Sequence, residues 1–192
     1  KRGTALWIES TNPTVKHNTF ANSNRDGIFV TGTATPMIEA NIFTKNSGNG
    51  ISVARSAQGE IRNNLFQNTG FGLAIGGTSK PLVVDNKIVQ NSDGIFISDD
   101  ARPVLRNNVI ENNKRDGIVI AACSQAQPDL GTNVNPGGNI FINPGRYNIH
   151  NSGGKSLVAF GNQLDPSRVA GAVDLGIGSK SIFPEEQQAQ CF

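Results

Sequence analysis

A chain of 192 residues fits a single domain, and its 17 basic against 15 acidic side chains leave a net charge of only +2. With no Lys/Arg cluster, that balance argues against nucleic acid as a partner. Twenty-two glycines, abundant asparagine and 6% aromatic residues exclude a broad layered core but suit a thin core repeated many times.

No apolar run approaches the ~18 residues of a membrane span, so membrane insertion is not expected, and no secretory apolar region is visible. The chain opens on Lys1, which reads as the trimmed part of a longer parent. Ala5-Leu6-Trp7-Ile8 then reads as an incomplete first coil. Its open sheet edge invites pairing, and the rest of that parent is the expected partner there.

From Asn18 onward one sentence is repeated: Asn-x-(Phe/Ile), a polar turn, then Gly-(Ile/Leu)-x-(Val/Ile). It is read at Asn18–Val30, Asn41–Val53, Asn64–Ile75, Asn86–Ile97 and Asn108–Ile120, with a weaker copy at Asn139–Ile149. The asparagines Asn18, Asn41, Asn64, Asn86, Asn108, Asn139 and Asn162 are spaced 23, 23, 22, 22, 31 and 23 residues apart. Fixed periods of this size signal a solenoid. The one expanded interval places an insertion in one loop, over residues 121–138.

Each period holds three short apolar runs with alternation, which predicts strands rather than helices. Ile28-Phe29-Val30, Pro36-Met37-Ile38 and Ile42-Phe43 stand for the three. Three short strands per turn, stacked coil on coil about 4.8 Å apart, make an all-β, single-stranded parallel β-helix. We expect about six coils of 22–23 residues, roughly 30 Å tall, over residues 1–163, and a C-terminal cap and tail over 164–192. Within the latter, Val169–Gly178 and Ile182-Phe183 read as cap and Glu185–Gln190 as polar tail.

Stacked columns of like side chains bury area that no single coil buries alone. The asparagine column falls between the second and third strands, where asparagine tolerates a left-handed corner and its amides can bond from coil to coil. Gly27, Gly50, Gly72, Gly94 and Gly117 enter the first strand, where either a positive φ or a close approach would require glycine. Asp129-Leu130-Gly131 is expected to pair as a second strand.

The Asn-x-Phe…Gly-Ile-x-Val coil resembles the right-handed parallel β-helix proteins of the pectin-lyase-like superfamily. Pro128-Asp129-Leu130-Gly131…Asn135-Pro136-Gly137-Gly138-Asn139-Ile140-Phe141, followed by Gly161-Asn162-Gln163-Leu164, is similar to the DUF1565 group of secreted or surface proteins common in cyanobacteria. The resemblance implies right-handed coils and a site on the first-strand face with its flanking loops. Over activity it leaves lyases, hydrolases, epimerases and plain scaffolds open.

On that face the outward positions are Trp7, Phe29, Ser52, Ala74, Phe96, Val119 and His150. Trp7, Phe29 and Phe96 can offer ring faces to sugars, or can simply lie under flanking loops. Asp26, Asp93 and Asp116 precede the glycine, and Asp99-Asp100 follows the strand with Arg102 close by. Asp93, Asp99 and Asp100 are the catalytic candidates. A hydrolase needs two carboxylates at a defined separation, and a lyase needs Ca²⁺ held by several. Asp-Gly is also an ordinary turn signal, and neither Gly-His-Gly nor Arg-x-Lys of the polygalacturonase-like pattern is present.

His17 and His150 are too far apart for a metal site, and no Ser/His/Asp or Cys/His nucleophile arrangement stands out. Cys123 and Cys191 are either a disulfide, which would imply an oxidising compartment, or two thiols. The expected function is a secreted or cell-surface module, periplasmic location being the variant, with a structural or polysaccharide-binding role. The alternative is a carbohydrate-active enzyme: a polysaccharide lyase, hydrolase or epimerase. No cofactor is expected, Ca²⁺ entering only under the lyase reading, and the expected partner is a polysaccharide or cell-surface glycan.

Overall fold

Alternation over three to five residues is too short for a helix turn to bury a stripe, and each such run is a strand in the computed structural model, which describes residues 3–176. Every strand pairs in parallel with the strand one period later. Leu6, Ile28, Ile51, Leu73, Ile95, Ile118, Ile149 and Val169 face one another in succession. Three long sheets result among the described residues, wrapped around one axis, with eight, five and six strands, and a two-stranded sheet follows at the C-terminal end. The second sheet is prolonged by a bridge from Val104 to Asp129 and the third by one from Ile140 to Gln163. Of the expected strand Asp129-Leu130-Gly131, Asp129 alone pairs, as an isolated bridge.

The first sheet counts eight turns rather than the expected six. Counting asparagines misses the coil that starts at Leu6. It also misses the last one, where Val169–Ala170 adds a strand although the Gly-Ile-x-Val pattern has faded. The coils therefore run past residue 163. Leu157–Val158 still pairs with Val173–Asp174, so the part of the expected cap that is described is a further turn of the same helix. The expected cap and tail elements Ile182-Phe183 and Glu185–Gln190, and Cys191, lie outside the described residues. So does any pairing between Cys191 and Cys123.

The core is a set of stacked columns inside the three sheets. Ile28, Ile51, Leu73, Ile95 and Ile118 form one, and Ile38, Val83 and Leu105 belong to another, all with 0% of their surface exposed. Phe20, Phe43 and Phe66 stack ring on ring, with centroids 5.2 and 4.8 Å apart. The repeat is self-consistent here, because a like residue above and below presents the same shape and closes the gap.

The asparagine column is a continuous ladder. Each Oδ1, from Asn41 to Asn162, accepts the backbone N–H of the asparagine one coil earlier at 2.9–3.1 Å. Each Nδ2 donates to the preceding coil's second strand, as Asn64 does to the carbonyl of Ile38 at 2.9 Å. The left-handed corner falls one residue earlier than expected, on His17, Ala40, Asn63, Asp85 and Asn107. That step leaves the ladder asparagine free to turn its amide inward. A second, partial ladder through Asn46, Thr69, Asn91 and Asn113 follows the third strand.

At the five strand-entry glycines φ is not positive. Close approach is the reason they are glycine. A Cβ on Gly72 would lie 2.6 Å from Ile88 and 2.8 Å from the carbonyl of Gly94.

The insertion lies mostly in the corner of the sixth coil. The regular coil passes from Leu105 to Asn108, whereas this one passes from Leu130 to Asn139 before the ladder resumes. Arg106, nearly buried, fastens it through a 2.6 Å ion pair to Asp129.

A candidate site on the outer face of the first sheet

Period-two alternation turns every second side chain of the first sheet outward. In-register pairing then aligns Trp7, Phe29, Ser52, Ala74, Phe96, Val119 and His150 in one file along the axis. Trp7 is 57% exposed and stacks on Phe29, with centroids 4.5 Å apart. Phe96 stacks on Phe71 of the preceding coil at 4.9 Å. Between Phe29 and Phe96 lie only Ser52 and Ala74. Phe71 belongs to the coil of Ala74, so the walls stand two coil steps of ~4.8 Å apart, a saddle about 10 Å long.

Beside this file runs a second one, made by the residues just before the glycines. Asp26, Asn49, Asp93 and Asp116 each accept the backbone N–H of the residue one coil later, at 3.0–3.2 Å. Asp93 and Asp116 are buried, and each is covered by an arginine from the next coil. Arg115 closes on Asp93, and Arg146 reaches Asp116 through Nη2 at 2.7 Å and Nε at 3.1 Å. Asp26 is buried too, but Gly48 stands where the arginine would be, and its Oδ2 has no partner among the described residues.

These pairs set the local electrostatics. Burial pushes the Asp116 carboxyl up. The hydrogen bonds from Arg146, His150 and the Tyr147 N–H outweigh that and hold it below the usual carboxylate range. The hydrogen bond to Asp93 raises the Arg115 guanidinium, and that to Asp116 raises Arg146.

The three catalytic candidates do not meet. Asp93 begins the strand Asp93–Ile97, whereas Asp99 and Asp100 sit exposed in the turn beyond its end. Six residues of extended chain separate Asp93 from Asp99, about 20 Å. Asp99 has a left-handed backbone, and its Oδ2 accepts from the Gly77 N–H at 2.7 Å, an ordinary corner role. Ca²⁺ needs several oxygens within about 2.6 Å of one point. The three carboxylates do not fit a shared ion.

One constellation escaped the sequence reading. His150 Nδ1 lies 3.1 Å from Asp116 Oδ2, and His150 Nε2 lies 2.9 Å from Ser152 Oγ. A Ser–His–Asp chain is therefore present at the seventh coil, with Arg146 Nη2 3.0 Å from the same Nδ1. Its members stand up to 36 residues apart in the sequence. The pairing of Ile118 with Ile149 across the insertion brings them together. The available signal was Arg115-Asp116-Gly117, one coil below Arg146-Tyr147-Asn148.

A family model described as the right handed beta helix region matches residues 4–164. No curated protein and no solved structure matches the chain.

Proposed function

This chain belongs to the right handed beta helix family, and from that premise we propose that it is a secreted or cell-surface module that binds polysaccharide along the outer face of its first sheet. The observation that carries the reading is the pair of outward aromatic stacks, Trp7 on Phe29 and Phe71 on Phe96, flanking a saddle of small side chains. A sugar ring presents C–H faces that pack on aromatic carbon, and the floor between the stacks is closed by Ser52, which is buried and holds the Asn49 amide at 3.0 Å. Farther along, Arg115 and Arg146 remain more than half exposed although paired, so acidic sugars would meet positive charge at that end.

The test is affinity electrophoresis of the purified chain through gels containing neutral or acidic polysaccharides. We expect retardation by at least one glycan, weakened about tenfold in Kd by Trp7→Ala combined with Phe29→Ala and to a similar extent by Phe96→Ala, about 1.4 kcal/mol each. Equal migration of parent and variants in every glycan would remove the proposal. These side chains lie outside the core columns, so circular dichroism of the variants should match that of the parent.

A further inference from the structure

We propose that Ser152, His150 and Asp116 form a hydrolytic relay for carboxylic esters, an activity beyond glycan binding. His150 and Ser152 stand two residues apart at the end of the strand Ile149–Asn151, so the pleat turns both outward. Asp116 comes from the coil before and is 99% buried, while Ser152 is exposed and His150 lies between. The graded burial is what such a relay needs: an anion fixed inside, a base at the boundary and a nucleophile open to substrate.

The hydrogen bonds determine which tautomer works. With Arg146 Nη2 donating to Asp116 Oδ2 at 2.7 Å rather than to the ring nitrogen 3.0 Å away, Nδ1–H donates to the same Oδ2 at 3.1 Å, and the Nε2 lone pair faces the Ser152 hydroxyl at 2.9 Å and accepts its proton. The charged groups around the imidazole are Asp116 and Arg146, with the Tyr147 ring tilted against it at 5.1 Å. Arg146 keeps the Asp116 carboxylate ionised. Being half exposed, it is also the cation at hand for charge that develops on a substrate oxygen.

The reaction balances with water as the second reactant. Ser152 Oγ attacks the ester carbonyl carbon while its proton moves to His150 Nε2. The tetrahedral adduct collapses, the bond to the alcohol oxygen breaks, and that oxygen leaves with the proton from Nε2. Water then attacks the acyl-serine and gives its proton to Nε2. The acyl–Oγ bond breaks, a carboxylic acid departs, and the proton returns to Ser152. Asp116 is a positioning residue that orients the ring and stabilises the imidazolium.

The experiment uses the whole chain with p-nitrophenyl acetate, spontaneous hydrolysis subtracted, and a fluorophosphonate probe read by peptide mass spectrometry. The expected result is phosphonylation of Ser152 and a fall in turnover of at least about tenfold in Ser152→Ala. Ser152 is exposed, so this variant keeps the fold. In Asp116→Asn the anion that orients the ring is lost while the substrate surface is unchanged, so kcat falls at least about tenfold with KM nearly constant. Should Asp116→Asn fail to fold, Ser152→Ala decides alone. Absence of label on Ser152, or equal turnover by Ser152→Ala and the parent, overturns the proposal. Loss of glycan binding without loss of labelling would sink only the preceding reading.

Discussion

Asn64 occupies the middle of a file of stacked amides and uses both ends of its side chain. Its Oδ1 takes the N–H of Asn41, and its Nδ2 serves the Ile38 carbonyl and the Oδ1 of Asn86. All of this is buried, so water cannot replace what is lost. Asn64→Ala should leave one N–H and one carbonyl without partners and cost of order 3 kcal/mol in urea unfolding. Asn18→Ala, at an exposed position whose Oδ1 accepts from no N–H among the described residues, should cost under about 1 kcal/mol. Equal costs would mean that the amides are solvated and the ladder is not what holds the corner. The neighbouring residue has a different job. His17, Ala40, Asn63, Asp85 and Asn107 absorb the left-handed turn, so side-chain chemistry and backbone bending are divided between two adjacent positions.

At the scale of elements, the first sheet is fastened by polar clasps as well as its ladder. Asp116 caps the N–H of Tyr147, and Arg146 reaches back to Asp116, so the two coils hold each other through side chains as well as through the backbone ladder. The folded state keeps this carboxyl below its usual range, so its stabilisation is fully present above the unfolded value of about 4 and is lost as pH falls through the lower folded value. Arg146→Met should cost about 1–2 kcal/mol at neutral pH, a figure discounted because the guanidinium is 54% exposed. The Tm gap between parent and variant should narrow steadily below about pH 4. A gap independent of pH would assign the effect to packing of the arginine stem. The same clasp is missing at Asp26, where Gly48 leaves a buried carboxylate oxygen unpartnered.

Across the whole molecule each coil touches only its neighbours, so stability accumulates coil by coil. Leu65 stands in register with Lys87. Removing residues 65–86 therefore joins Asn64 to Lys87 at equivalent points and deletes one full turn. The shortened chain should keep its β-type circular dichroism and unfold cooperatively, with a denaturant slope smaller by roughly one part in eight. Removing only residues 65–75 puts every later column half a turn out of step and should abolish folding. Tolerance of both deletions would show that register is not specified by the stacked columns.

The sequence by itself determined the architecture, because a solenoid writes its geometry as a period. Asn64 and Asn86 lie 22 residues apart for the same reason that they lie one coil apart, so the ladder, the three runs and the outward file were all legible. Its margins were less so. The first and last turns carry degraded copies of the repeat, and the eighth turn rests on the pairing of Val169 with Ile149 in the first sheet. The polar constellation was decided by tertiary structure. Asp116 meets His150, and through it Ser152, across the insertion, and Asp93 finds Arg115 rather than Asp99. A period specifies which backbones stack. Which side chains then touch depends on how the pleat, the corner and the inserted residues turn each one, and that is settled only when the coils close on one another.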